Sequence, residues 1–208
     1  AKKDCEIHNS AYMTLEQVID VIKSAEHEGK MTVRLHTGDP SLYGAIREQM
    51  DRLDELGIKY DICPGVSSFC GAAAALRAEY TLPDVSQTVI ITRMAGRTPV
   101  PEKESIAALA AHNATMVIFL STGFLKELSA ELIRGGYKPD TPAAIVYKAS
   151  WADQKVCRCT VEDLAQTASD NGITKTALIC VGYFLGNDYS LSKLYDKSFE
   201  TEFRKAEI

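Results

Sequence analysis

The sequence lacks the features that mark several common protein classes. No apolar run approaches the roughly 20 residues needed to span a membrane, and the first residues, AKKDCEIHNS, contain no apolar signal-peptide core. Acidic and basic residues are interspersed without a basic block, and the formal net charge is -5. This pattern argues against a nucleic-acid partner. We therefore expect a soluble cytoplasmic protein that binds neither nucleic acid nor membrane.

Metal-binding and familiar nucleotide-binding patterns are missing as well. There is no G-x-G-x-x-G, Walker or G-x-S-x-G motif, and the four histidines have no metal-like spacing. His36 is the histidine nearest a predicted strand end, and a packed neutral imidazole explains it. The six cysteines lack paired C-x-x-C spacing. Cys157 and Cys159 stand two apart, without the further ligands of a zinc site, so we expect reduced thiols and no metal.

What the sequence does contain is a regular succession of helix and strand patterns. A capping box at Thr14–Gln17 precedes apolar residues at helical spacing up to Gly29, which predicts a first helix. Two strand–loop–helix units follow, with strands predicted at 31–36 and 60–63 and helices at 46–57 and 67–77. Consecutive units of this kind predict a parallel sheet.

The pattern breaks around Leu82–Asp84, and we place a domain boundary near residue 85. The first domain, 1–85, has the predicted parallel sheet, and the second, 86–208, is a further α/β domain. Strands are predicted there at 88–92, 115–120, 143–147, 155–159 and 177–183, and helices at 102–111, 123–134 and 161–171.

Ligands of parallel α/β sheets collect beyond the carboxyl ends of the strands, so the loops at these ends are the candidate site. In the first loop, Thr37–Gly44, Asp39 is either a ligand-binding carboxylate or a helix N-cap followed by Pro40. In the second, Cys63–Ser68, the hydroxyl residues either face a ligand or cap the next helix. The letters alone leave both choices open.

Two further loops have unusual composition. Thr92–Lys103 is longer than a strand-to-helix connection requires and contains the cations Arg93, Arg97 and Lys103. These cations either receive ligand carboxylates or simply keep a polar loop solvated. Beyond later strands come 120–123 and 147–151, whose backbone groups are suited to framing a flat ring. We assign no role to Trp151 at its end.

The first two loops resemble the signature motifs of a known family. Arg34–Gly44 resembles the G-D-P motif of the tetrapyrrole methylases, and Cys63–Ser68 resembles their P-G-[IV]-[ST]-[SA] motif. Arg93–Lys103 is similar to the branch of the family that methylates C11 of precorrin-4, and Ala143–Val156 continues the similarity. The resemblance covers nearly the whole chain.

This resemblance implies a two-domain α/β fold, with a parallel sheet in the N-terminal domain and a mixed sheet in the C-terminal domain. It also implies a homodimer that binds S-adenosyl-L-methionine in the cleft between its domains, releases S-adenosyl-L-homocysteine, and methylates a tetrapyrrole in cobalamin (vitamin B12) biosynthesis. Carried over by position, the cofactor-binding residues are Thr37, Gly38, Asp39, Leu42, Ser67, Ser68, Leu120, Ala149, Thr176 and Ala177. Arg93, Arg97 and Lys103 are the corresponding substrate-binding candidates.

One departure from the family pattern bears on activity. Relatives begin with a strand and a G-x-G-P-G-D loop facing the substrate, so this chain is expected to lack about forty residues, near the size of one strand–helix–strand unit. Other acceptors remain open, namely another tetrapyrrole position, uroporphyrinogen or a diphthine precursor, as does a non-catalytic nucleotide-binding fragment. The third loop favours precorrin-4. We expect no nucleophilic side chain, and no residue is identified as the catalytic base.

Overall fold

The computed structural model describes residues 3–207, which fall into two compact units that divide between Ser67 and Ser68. Helices and strands together confirm the predicted α/β class. Within the described range, no helix is both long enough and apolar enough to cross a bilayer. The predicted domains also included residues 1, 2 and 208, which lie outside the described residues.

The first unit is built around two helices, α1 (Leu15–His27) and α2 (Arg47–Glu55), with a short 3-10 helix at Ser10–Tyr12. The capping box predicted for α1 is confirmed. The Gln17 N–H donates to the Thr14 hydroxyl at 3.3 Å, and the Thr14 N–H donates to Gln17 Oε1 at 2.8 Å. Two amide N–H groups that have no partner inside the helix are satisfied in this way.

The core of the first unit is small. Its buried residues are Val18, Ile19 and Ile22 of α1 and Leu53 of α2, and they pack with the partly buried Met13, Leu15 and Ile58. The α1 residues recur at helical spacing, so they form one apolar stripe along the helix. This stripe is what joins α1 to α2.

The strands predicted at 31–36 and 60–63 are not formed, since the structure assigns no strand between residues 3 and 67. A strand takes its hydrogen bonds from neighbouring strands, which a single apolar run cannot supply. The apolar side chains of Met31, Val33 and Leu35 are exposed. Residues 3–67 accordingly do not form the parallel sheet expected for the N-terminal domain.

The second unit contains a five-stranded sheet and four helices. Its helices are α3 (Ser68–Leu76), α4 (Ile106–Ala110), α5 (Leu125–Gly135) and α6 (Leu164–Asp170). Its strands are β1 (Val89–Arg93), β2 (Thr115–Phe119), β3 (Pro142–Tyr147), β4 (Lys155–Thr160) and β5 (Ala177–Val181). Short 3-10 helices lie at Glu102–Glu104, Thr122–Phe124, Tyr183–Leu185 and Lys193–Tyr195. All five predicted strands of this region are confirmed to within a few residues.

The sheet is mixed, in the order β1-β2-β5-β3-β4, with β1 and β2 parallel and the other neighbours antiparallel. The register brings three strand ends and two strand beginnings to the same edge. Arg93 pairs with Phe119, and Tyr147 pairs with both Ala177 and Lys155. We call this side, at which β1, β2 and β3 end, the Arg93 edge.

Both faces of the sheet are covered, because successive side chains of a strand point to opposite sides. In β2, Met116 and Ile118 join the core that α4, α5 and α6 complete, while Val117 faces the opposite side. There Val117 packs with Ala72 and Leu76 of α3. The second unit thus has a core on each face of one sheet.

The division between the units differs from the domain boundary predicted near residue 85. The units divide where α3 begins, because α3 packs on the sheet of the second unit through Ala72 and Leu76. The functional domain boundary stays a prediction. A second difference concerns the helix predicted at 102–111, which is interrupted at Ser105. The Ser105 hydroxyl accepts a hydrogen bond from the Ala108 N–H at 3.3 Å and so starts α4 afresh.

Candidate active site

The first two predicted loops meet at the carboxylate of Asp39. Its Oδ2 atom accepts a hydrogen bond from the Gly65 N–H at 2.8 Å, across 26 residues of sequence. Its Oδ1 atom accepts from the Ser41 N–H at 2.8 Å and from the Ser41 hydroxyl. Asp39 therefore fastens Thr37–Gly44 to the first-unit part of the second loop, residues 63–67. We call this arrangement the Asp39 brace.

The Asp39 brace leaves no room for a side chain at Gly65. A Cβ atom built there would overlap the carbonyl oxygen of Gly38 and lie 3.4 Å from the Asp39 Cα atom. Glycine permits this approach of two backbones because it has no Cβ. The G-D pair of the first motif and the P-G pair of the second are therefore two halves of one contact. That contact explains physically why the letters occur together.

The same hydrogen bonds keep Asp39 ionised. They lower the pKa of the Asp39 carboxyl below its ordinary value. The largest contribution comes from the Ser41 hydroxyl, followed by the Gly65 amide and then the Ser41 amide. The region thus carries a fixed negative charge at neutral pH. A carboxylate has about four acceptor positions, so one remains for a ligand.

The helix N-cap interpretation of Asp39 is wrong. Helix α2 begins only at Arg47, after Ile46, whose side chain makes no capping hydrogen bond. The intervening chain is a turn in which the Leu42 N–H donates to the Asp39 carbonyl at 3.3 Å. Tyr43 and Ala45 follow with φ values of 56° and 49°. Non-glycine residues in this left-handed region are strained, and such strain is found preferentially at functional sites.

The other first-unit candidates lie on or beside the Asp39 brace. Thr37 is exposed, Leu42 is half-buried and Ser67 is buried. Ser68, the first residue of α3, is exposed and belongs to the second unit.

In the second unit, the Arg93 edge gathers the remaining cofactor candidates. Leu120 follows β2, Ala149 lies two residues beyond β3, and Thr176 and Ala177 stand at the start of β5. Strands β2, β5 and β3 are neighbours, and two hydrogen bonds tie their loops together. The Thr122 hydroxyl donates to the Ala177 carbonyl at 3.2 Å, and the Lys148 N–H donates to the Thr176 carbonyl at 3.0 Å. Sequence positions spread over 58 residues, from 120 to 177, are thus brought to one edge.

Backbone strain is concentrated at this edge. Leu120, Lys148, Ser150 and Thr176 have φ values of 52°, 46°, 71° and 57°. Each such residue costs on the order of 1–3 kcal/mol unless its surroundings offset it. Leu120 is also 68% exposed although it is apolar. An exposed apolar side chain offers a surface on which an aromatic ring can pack.

The third loop does not hold its three cations alike. Arg93 directs its guanidinium onto carbonyl groups of its own loop, whereas Arg97 and Lys103 are exposed. Lys103 lies between Glu102 and Glu104 in a 3-10 helix, whereas Arg97 has no acidic residue next to it in sequence.

Sequence reasoning missed two residues at the Arg93 edge. Ser121, fully buried, accepts a hydrogen bond from the Met94 N–H at 2.9 Å and donates to the Phe119 carbonyl at 2.7 Å. Lys148 pairs with Asp153 at 2.6 Å and lies 5.2 Å from the ring centroid of Trp151. A serine after a strand end is too common a signal to single out Ser121. Nothing in the sequence of residues 148–154 predicted that the Lys148 side chain contacts Asp153 and Trp151 of the same loop.

Among residues 3–207, no group of three or more histidine, cysteine or carboxylate side chains is placed to hold a metal ion. Cys157 and Cys159 are both free thiols. Burial raises the pKa of the Cys159 thiol to about 11, so this thiol is protonated and unreactive at neutral pH.

Comparison with known proteins places these observations in a family. The model of Tetrapyrrole (Corrin/Porphyrin) Methylases matches residues 1–165. A cobalt-precorrin-4 C(11)-methyltransferase of Methanocaldococcus jannaschii is 56% identical over 206 residues, which are 99% of this chain and 80% of the relative. The chain belongs to the tetrapyrrole methylases, and it spans about four fifths of that relative's length.

Solved structures agree with this assignment. The X-ray structure of a cobalt precorrin-4 methyltransferase, described as a cobalamin biosynthetic enzyme, has a TM-score of 0.88 and 47% identity, covering 90% of this chain and 78% of that one. A uroporphyrin-III C-methyl transferase from Thermus thermophilus, complexed with S-adenyl homocysteine, has a TM-score of 0.65. It covers 82% of this chain and 74% of that one, and at 20% identity it supports the fold alone.

Proposed function

We propose that this protein transfers a methyl group from S-adenosyl-L-methionine to C11 of precorrin-4, or of its cobalt form, in cobalamin biosynthesis. The observation that carries this function is the 56% identity, over 99% of the chain, to a cobalt-precorrin-4 C(11)-methyltransferase. The cationic third loop supports the same acceptor, because precorrin-4 carries acetate and propionate arms. A neutral acceptor would not need exposed cations there.

The residues present fit the proposed cofactor. In the first unit, Thr37, Gly38, Asp39, Leu42 and Ser67 belong to the two braced loops, and we assign them to the methionine and ribose portions together with Ser68. The anionic Asp39 suits both a cationic group and ribose hydroxyls.

The adenine portion is assigned to the Arg93 edge. Leu120, Ala149, Thr176 and Ala177 lie at the ends of three neighbouring strands there. The exposed Leu120 side chain provides apolar surface, and Leu120 and Thr176 have left-handed backbone conformations.

Positioning is the main contribution of the protein to this reaction. When bound, S-adenosyl-L-methionine supplies an electrophilic methyl group on a cationic sulfur. The acceptor carbon is electron-rich through conjugation with a pyrrole nitrogen, so no side chain has to act as a nucleophile. The chain's own residues hold donor and acceptor nearly in line and exclude water. Such orientation contributes several kcal/mol, with about 7–11 kcal/mol as the range for well-aligned intramolecular reactions.

Substrate recognition is assigned to the third loop. Arg93 is the last residue of β1, and Arg97 and Lys103 follow it within ten residues and are exposed. The positive charge of arginine and lysine attracts the carboxylate arms of the substrate.

The family resemblance also supports a homodimer located in the cytoplasm, which forms part of the proposal. Sedimentation equilibrium over a range of protein concentrations measures the oligomeric state. A molecular mass of one chain at every concentration would contradict the dimer.

Two measurements on this chain test the proposed function. Calorimetry with S-adenosyl-L-homocysteine is expected to show one site, and incubation with S-adenosyl-L-methionine and cobalt-precorrin-4 should add one methyl group by mass spectrometry. Asp39→Ala should weaken binding of the homocysteine product, since the Asp39 brace is lost. Glu28→Ala, whose carboxylate pairs with Lys30, is the matched control and should bind normally. Failure of the unaltered chain to bind S-adenosyl-L-homocysteine would refute the cofactor assignment.

A further inference from the structure

Arg93 is bonded to its own loop at three points. Its Nη1 atom donates to the carbonyls of Met94 and Thr98, each at 3.1 Å, and its Nη2 atom donates to the Pro99 carbonyl at 2.8 Å. Two of its five N–H groups remain. A planar guanidinium is well suited to this work because its donors point in fixed directions. Arg93 therefore closes residues 94–99 into a loop.

The same loop is fastened to the sheet on its other side. The Met94 N–H donates to the buried Ser121 hydroxyl, which donates in turn to the Phe119 carbonyl at the end of β2. A Cβ atom at Gly96 would lie 3.3 Å from the ring of Phe124, so this ring packs against the loop backbone. The loop is thus held in one conformation by specific hydrogen bonds and packing contacts, rather than being a connection surrounded only by solvent.

Arg97 stands in the middle of this loop and is exposed. Across residues 3–207, it has no hydrogen-bond or ion-pair partner. The loop around it contains no carboxylate between Arg93 and Pro101. By contrast, Glu102 and Glu104 flank Lys103. Arg97 is therefore an exposed cation, on a loop fixed at both sides, whose charge is available to an anionic ligand.

We propose that Arg93 is a positioning residue, which fixes the loop so that Arg97 receives a carboxylate of the tetrapyrrole. This inference rests on the proposed function for the identity of the acceptor, and it divides the roles of two arginines that sequence alone treats as equivalent. Arg97 contacts the substrate through charge. Arg93 acts through Arg97, by holding its backbone.

Conservative substitutions separate these roles. The probe is uroporphyrin III, a polycarboxylate tetrapyrrole, titrated by its absorbance change. Lysine keeps the charge but cannot donate to three separated carbonyls, so Arg93→Lys should weaken binding about as much as Arg93→Ala, by about tenfold. Arg97→Lys should retain most of the affinity, whereas Arg97→Ala should lose about tenfold. Lys138→Ala, which removes an exposed cation near the start of β3, controls for net charge.

A double-mutant cycle gives the sharper measurement. If Arg93 acts through Arg97, the double variant Arg93→Ala/Arg97→Ala should bind uroporphyrin III within about twofold of Arg97→Ala. If the two arginines made independent contacts, their fold-losses in affinity would multiply, and the double variant would bind about a hundredfold more weakly than wild type. The proposal would be overturned if the losses in affinity multiplied in the double variant. It would also be overturned if Arg93→Lys bound uroporphyrin III with wild-type affinity.

Amide hydrogen exchange of the free protein supplies a readout without substrate. Faster exchange is expected at residues 94–99 in Arg93→Ala and Arg93→Lys, but not in Arg97→Ala. Unchanged exchange in both Arg93 variants would overturn the positioning role.

Binding of S-adenosyl-L-homocysteine should stay within about twofold of wild type in every variant, which verifies folding. If that ligand fails to bind the wild type, the proposed function fails separately. If the wild type does not bind uroporphyrin III, the role of Arg97 is refuted.

Discussion

The two compact units differ in how their residues are held in place. The first unit buries four hydrophobic side chains from two helices and leaves Met31, Val33, Leu35, Ile62 and Val66 exposed. The second unit covers both faces of a five-stranded sheet. Because burial of apolar area is the main stabilising contribution to folding, most of the stability resides in the second unit. The first unit relies more on particular polar contacts, of which the Asp39 brace is the clearest.

Removing a large side chain from each core should expose this difference most strongly. Leu128 is fully buried between α5 and the sheet, so Leu128→Ala should lower the free energy of unfolding by about 3 kcal/mol. Trp151, the single tryptophan, belongs to the second unit, and its fluorescence in a urea titration reports that loss. Ile19→Ala, the matched change in the first unit, should shift this transition much less. Equal shifts would mean that the units unfold together.

A second test adds a methyl group where two helices of the second unit touch. A Cβ atom at Gly135 of α5 would overlap the Ala107 carbonyl oxygen of α4 and lie 2.5 Å from the Ala110 Cβ atom. Gly135→Ala should therefore destabilise the second unit by about 1–3 kcal/mol, since overpacked cores shift backbone. The control is Gly123→Ala, where a Cβ atom meets nothing within 4 Å. Matching urea midpoints for both variants would contradict the close approach of α4 and α5.

The corresponding change in the first unit should affect binding more than stability. Gly65→Ala places a Cβ atom against the Gly38 carbonyl and separates the two braced loops. We expect about tenfold weaker binding of S-adenosyl-L-homocysteine, the loss of about 1.4 kcal/mol, with an unchanged Trp151 unfolding transition. Calorimetry and urea titration of the same variant measure both quantities. A lowered unfolding midpoint with normal affinity for S-adenosyl-L-homocysteine would show that the contact at Gly65 serves stability rather than binding.

The smallest expected effect is on pH. Hydrogen bonds lower the pKa of Asp39 in the folded protein, so the Asp39 brace contributes stability above the ordinary aspartate pKa of 3.8 and loses it as pH falls through the folded value. Between pH 5 and 8 the Gly65 amide resonance should not move. It should shift only below pH 3.8, and Asp39→Asn should abolish that shift. Titration of the Gly65 amide near neutral pH would show that Asp39 is not held in its ionised form.

Local patterns predicted much of this fold. The Thr14–Gln17 capping box placed the start of α1, and short β-prone runs located the strands of the second unit. Their pairing could not be read in the same way, because the antiparallel insertion of β5 between β2 and β3 depends on contacts distant in sequence. For the same reason, the runs at 31–36 and 60–63 indicated strands without supplying the neighbours that strands require.

The candidate site shows a similar limit. The composition of the loops identified Asp39 and the cations between Arg93 and Lys103 as residues of interest. It could not indicate that Gly65 donates to Asp39, or that Arg93 is bonded to carbonyls of its own loop while Arg97 is exposed. These distinctions depend on where a backbone turns. The left-handed residues that make the turns, such as Leu120 and Lys148, are not of the types that favour that conformation.

The position of β5 also sets the order in which the protein can mature during synthesis. The last of the five described strands in sequence, β5, occupies the middle of the sheet, with β2 on one side and β3 on the other. Until Ala177–Val181 has emerged, the two earlier strand pairs, β1-β2 and β3-β4, have no common neighbour. A nascent chain halted before Ala177 therefore exposes two open strand edges, which are prone to aggregate. The sheet can therefore close only after the last of its five strands has been synthesised.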